Sequence, residues 1–157
     1  MKGEQYTTGR ASEPTLRYVP MPNGAIELHR VRESYFGYCT TAAQLAFTVA
    51  NQQIDLTLQL LQVADFEVFY LLDTHTNAWN LQITDGSSMT TLWSQPVPAA
   101  SVCGNGTLPG IVPVTFVFRK NGSIMIRGIN GAVAANPGVL TIVGAHLYDE
   151  GPVTNAK

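Results

Sequence analysis

Residues 113–130, PVTFVFRKNGSIMIRGIN, set two alternating apolar segments on either side of Asn121-Gly122, and no other stretch constrains the fold as tightly. Phe116 and Phe118 recur at period two before the turn, and Ile124 and Ile126 do so after it. Period two marks strands with one buried face, and Asn-Gly supplies the two positive-φ residues of a type I′ turn. The expectation is an antiparallel hairpin inside an all-β domain.

The pattern recurs along the chain. Leu45, Phe47 and Val49 alternate within residues 44–50, and Ile54, Leu56, Leu58 and Leu60 alternate with Asp55, Thr57 and Gln59. Residues 66–72 are almost continuously apolar, as in a strand covered on both faces; their short length and the turn at 73–77 favour this over a buried helix. Residues 79–84, Asp85-Gly86 and residues 89–94 predict a second hairpin. With further segments near 26–31, 54–62, 114–119, 123–129 and 139–147, about eight strands are expected. That number predicts a two-sheet antiparallel sandwich, best matched by a jelly roll, with immunoglobulin-like and lipocalin-like arrangements as alternatives. The connection at 95–113, with four prolines and three glycines, suits a crossing between sheets better than an up-and-down barrel. The expected core is Leu56, Leu58, Leu60, Phe66, Val68, Phe116, Phe118, Ile124 and Ile126. Flanking the domain at 24–150 are a polar N-terminal arm, residues 1–23, expected to be flexible alone and either to order on a neighbouring subunit or to remain a disordered tail, and a tail at 151–157.

Charged residues make up 13% of the 157, against roughly 25% in a typical soluble domain. A surface this neutral repels neighbours weakly and suits packing against copies of the same chain. A formal charge of −2 and the lack of a dense Lys/Arg run give no drive toward nucleic acid. The first residues hold no apolar core of signal-peptide length, and no run of about 18 apolar residues predicts a membrane span. Cys39 and Cys103 are too few for a disulfide scaffold; they read as buried free thiols, with a bridge or an intersubunit bond as the alternative.

No chemical constellation emerges. His29, His75 and His146 are scattered without metal-ligand spacing, and Asp73 beside His75 reads as a turn in which the carboxylate caps its own backbone. Asp65, Glu67, Asp73 and Asp85 form no EF-hand ladder, and the chain lacks a GxSxG elbow, a GxxxxGK[ST] loop and a GxGxxG fingerprint. Cys103-Gly104-Asn105-Gly106 has no neighbouring base to activate the thiol. No catalytic residue, metal or cofactor is therefore expected. Trp79 and Trp93 flank the second predicted hairpin and could stack on a sugar ring, although most strand aromatics are core.

Taken together, the polar arm, the low charge and the runs FEVFYLLDTHTNAWNLQITDGSSMTTLW, PVTFVFRKNGSIMIRGIN and VLTIVGAHLY resemble small jelly-roll structural proteins of viral particles. The pattern is similar to single jelly-roll coat proteins of tailless bacteriophages with an internal membrane. That resemblance implies a non-enzymatic subunit, made in the host cytoplasm and resident in the virion. It implies self-assembly into capsomers of an icosahedral capsid, with other capsid proteins and an underlying viral membrane as partners. Many coat proteins of this lineage carry two jelly rolls, whereas this chain has room for one. Arg10, Arg17 and Tyr18 of the arm and Val97 and Leu108 of the long connection are the expected subunit contacts. The alternative is a tail-fibre or spike receptor-binding tip, or a carbohydrate-binding β-sandwich module, holding a host glycan on Trp79 and Trp93.

Overall fold

Alternation sorts the side chains as a sandwich requires. Ile124 and Ile126 are fully buried while Arg127 is exposed, and Ile54, Leu56 and Leu58 pack on the core while Gln53, Asp55 and Thr57 face solvent. The computed structural model describes residues 14–105, 107–132 and 134–154. Among these, the elements are β1 (Thr15–Pro20), β2 (Ile26–Cys39), β3 (Gln53–Gln59), β4 (Asp65–Asp73), β5 (Trp79–Asp85), β6 (Val97–Pro98), α1 (Ala99–Val102), β7 (Gly110–Phe118), β8 (Ser123–Asn130) and β9 (Leu140–Pro152).

Two antiparallel sheets result, ordered β1-β2-β9-β4-β7 and β3-β8-β5-β6. From β2 onward the chain changes sheet at every step except β5 to β6. This interleaving of two Greek keys is the jelly-roll order, with β1 added as an edge strand. Between the sheets lie Phe66, Val68, Leu71, Leu81, Ile83, Phe118, Ile124, Ile126, Leu140 and Ile142, all buried. Every residue of the core expected from sequence belongs to this cluster or packs against it.

The central hairpin expectation is corrected. β7 and β8 lie in different sheets, β7 pairing with β4 and β8 with β3 and β5. At Asn121-Gly122 the chain turns a corner between layers. The Gly122 N–H donates to the Arg119 carbonyl at 3.1 Å, and Asn121 takes φ +59° at the third turn position, where a type II turn demands a positive value. Phe116 and Phe118 thus meet the core from one side and Ile124 and Ile126 from the other.

Four further expectations shift. Residues 44–50 form no strand; Phe47 makes one isolated bridge to Asn136, and Leu45 and Phe47 plug one end of the core while Val49 stays exposed. After β5 the chain doubles back, but only Thr84 and Thr91 bridge, so residues 89–94 are not a strand. Thr15–Pro20, placed in the arm by its polarity, is instead a strand paired with β2, because apolar Leu28 and Val31 and the turn at Asn23-Gly24 give it a template. β9 likewise runs to Pro152, into the expected tail.

Candidate functional site

β2 and β9 span 14 and 13 residues, against 7 and 8 for β3 and β8 of the facing sheet. At about 3.4 Å per residue the longer strands overhang the shorter by some 20 Å, and the overhang carries β1. Partners across an antiparallel ladder share a face, so Leu16 opposite Arg30, Tyr18 opposite Leu28 and Pro20 opposite Ile26 point the same way. By alternation along β2 this is also the face of Tyr38, whose ring meets core Phe66 edge-on at 4.8 Å. The core-side face therefore continues past the second sheet, and there Leu16, Tyr18 and Ile26 are 60, 76 and 70% exposed.

The opposite face is tied down electrostatically. Arg17 bonds Glu33 of β2 and, at 2.7 Å, Glu67 of β4, while Thr15 donates to the Val31 carbonyl at 3.2 Å. Val19, Val31, Val117 and Leu147 floor a shallow groove of about 260 Å³ beside them, rimmed by the Asp65–Arg119 pair. His29 lies buried at its end. Its Nδ1 sits 2.7 Å from Asp149 and its Nε2 3.2 Å from Glu27, and these hydrogen bonds, that to Asp149 foremost, hold the imidazolium above its ordinary range.

At the far end of the sandwich Asp73 gathers a buried network. It accepts from the His75 N–H at 3.2 Å, from His75 Nδ1 at 2.6 Å and from Trp79 Nε1 at 2.8 Å, while His75 Nε2 bonds the Leu45 carbonyl at 3.0 Å. Burial pushes the His75 pKa down, but the Asp73 and Leu45 bonds outweigh it and the net shift is upward. With both ring nitrogens engaged, His75 has no lone pair for a proton transfer or a metal. Cys103 nearby is pushed up to about 12 by burial and by the Asp73 charge, which makes it a poor nucleophile. Among the described residues no group of three or more His, Cys, Asp or Glu is placed to hold a metal ion.

The residues singled out by sequence do not converge. Trp79 is 3% exposed, with its indole N–H committed to Asp73, so it offers no open ring to a sugar, and Trp93 is partly buried against the core. Tyr18 stands on the exposed overhang, and Arg17 is spent on contacts within its own chain. Val97 pairs with Leu81 in β6, Leu108 is 72% exposed on the loop before β7, and Arg10 lies outside the described residues. Ile26 was missed, although its place just after the Asn23-Gly24 turn, with Leu16 and Tyr18 before that turn, was the available signal. Cys39 corrects the buried-thiol expectation: it is exposed, and both cysteines are free. No family model matches the chain, and no curated protein matches it.

Proposed function

We propose that this chain is a structural virion protein that self-assembles into capsomers of an icosahedral shell, with the β1–β2 overhang as a subunit contact. The observation that carries self-association is the group of exposed apolar side chains Leu16, Tyr18 and Ile26 on and beside an edge strand, with Arg30 the charged residue next to them on the same face. Edge strands that stay monomeric are ordinarily guarded by charge, and here the one charged residue of β1, Arg17, is neutralised on the other face. Exposed large apolar side chains grouped in this way mark an interaction site. The jelly-roll order, the low charge and the pattern resemblance to coat proteins support the shell context, with other capsid proteins and an underlying membrane as further partners.

Light scattering coupled to size exclusion, over a wide concentration range and followed by electron microscopy, tests this reading. Dimers or capsomers that grow into sheets or shells are expected for the wild type. A Leu16→Asp, Tyr18→Glu variant is expected to elute as a monomer with an unchanged melting temperature. A wild type that is monomeric at every concentration overturns the proposal.

A further inference from the structure

The non-core face of the four-stranded sheet carries a cleft that the assembly reading leaves unused. Register sets two outward rows across β3, β8 and β5, namely Asp55, Arg127 and Gln82, and beside them Thr57, Met125 and Thr84. The segment after β5 rises against the second row, and its Met89 and Thr91 complete the wall of a cleft of about 320 Å³.

That wall is held in place by a buried carboxylate. Asp85, 4% exposed, accepts from the Ser87 N–H at 2.9 Å and the Ser88 hydroxyl at 2.7 Å. Its own N–H donates to the Thr90 carbonyl, and its carbonyl accepts from the Met89 N–H, both at 2.8 Å. The turn fixes Met89 at φ +57°, a left-handed conformation that disfavours any residue with a side chain other than Asn or Asp. Glycine would sit there without strain, yet the position holds a long thioether, 64% exposed at the cleft mouth. A strained residue presented over a cleft points to a role for its side chain.

The chemistry of the lining narrows the ligand. Arg127 Nε bonds Asp55 Oδ1 at 2.7 Å, its Nη2 reaches Oδ2 at 3.4 Å, and the Gln53 amide donates to Oδ2 at 2.7 Å. The carboxylate and guanidinium cancel, so the cleft offers no net charge to an anion or a cation. Donors and acceptors alternate across it, from guanidinium and carboxylate to the Gln82 amide and the threonine hydroxyls, around the apolar Met89 and Met125. An aliphatic ligand would strip these groups of water without replacing their hydrogen bonds. A ring with vicinal hydroxyls on its edge and C–H bonds on its face satisfies both kinds of surface. We propose that this cleft binds a neutral saccharide unit, with Asp55 and Arg127 gripping vicinal hydroxyls and Met89 and Met125 packing on the ring face.

The test uses the full chain on an array of immobilised neutral hexose and N-acetylhexosamine oligomers, with uronate and sulfated glycans alongside. Neutral oligomers are expected to be retained over charged ones. Asp55→Ala and Met89→Gly are each expected to weaken retention at least tenfold. Met89→Gly separates binding from folding, since relief of the positive φ keeps or raises the melting temperature. Ile26→Ser, on the other sheet, leaves retention unchanged, so the outcome is independent of self-assembly. The proposal is overturned if no neutral oligomer is retained, if charged glycans are preferred, or if retention survives either cleft substitution.

Discussion

Arg17 of β1 reaches Glu67 of β4 at 2.7 Å, although β2 and β9 lie between their strands. In a flat sheet three strand spacings amount to about 14 Å, so the sheet must curl toward this face for the two side chains to meet. Glu67 is 8% exposed, which makes the guanidinium its main compensation for lost water. Arg17→Met should therefore lower stability by about 1–3 kcal/mol in urea titration, the range for hydrogen bonds to charged groups and for a buried acceptor left unsatisfied. Amide exchange across β1 should accelerate in the same variant. A double-mutant cycle with Glu67→Gln should recover part of the loss; strict additivity would mean that the pair does not hold β1.

The Asp73–His75 network makes stability depend on pH in a definite direction. The folded pKa of His75 lies above its ordinary value of 6.5. Its stabilising contribution is therefore fully present below 6.5 and is lost as pH rises through the raised folded value. His29 acts in the same sense, whereas burial lowers the His146 pKa and makes that residue cost stability as pH falls. A difference measurement isolates His75. The stability gap between wild type and His75→Gln should be widest near about pH 5.5 and shrink by about pH 9. A gap that is flat or widens with pH would reverse the assignment.

The core and most of the strands were legible because alternation is a local signal, although residues 44–50 alternate without pairing. Ile124 and Ile126 had to face inward wherever their strand lay, and they do. Pairing was not legible. Asn121-Gly122 reads identically whether the strands it joins pair or cross, and only the demand that Phe118 and Ile124 meet from facing layers decides between the two. Trp79 could be read either way for a related reason: an aromatic beside a turn looks accessible until Asp73, six residues earlier in sequence, is found bonded to its indole. The overhang was illegible because it depends on a difference in strand length between the two sheets. The saccharide cleft was hidden in the row formed by Asp55, Arg127 and Gln82, which come from three strands far apart in sequence.

Gly128 on β8 leaves room for the plug made by residues 45–47. A β-carbon there would stand 2.8 Å from Phe47 Cζ, 3.0 Å from Leu45 Cδ2 and 3.3 Å from Trp79 Cζ3. Both Leu45 and Phe47 are fully buried, so neither ring nor methyl can swing into solvent. Gly128→Ala should thus destabilise by about 1–3 kcal/mol, the usual cost of overpacking, despite alanine's better backbone propensity. Phe47→Leu in the same background should restore part of that loss in thermal melts. Equal stability of Gly128→Ala and wild type would show that the plug is loosely seated.

The two cysteines should separate cleanly by reactivity. Cys39 is exposed at the end of β2, its sulfur 3.3 Å from the Thr141 hydroxyl. Cys103 is largely buried behind α1, and a pKa pushed up to about 12 leaves almost no thiolate near neutral pH. An aromatic disulfide reagent at about pH 8 should therefore titrate one thiol rapidly in the folded chain and both in denaturant. Cys39→Ser should abolish the fast phase, and Cys103→Ala should leave it intact. Rapid labelling of Cys103 in the native protein would mean that the loop before β7 opens far more readily than its packing implies. No labelling of either thiol before unfolding would mean that Cys39 is covered, and the self-association proposed for the β1–β2 edge would then have to extend along β2 to the opposite end of that strand.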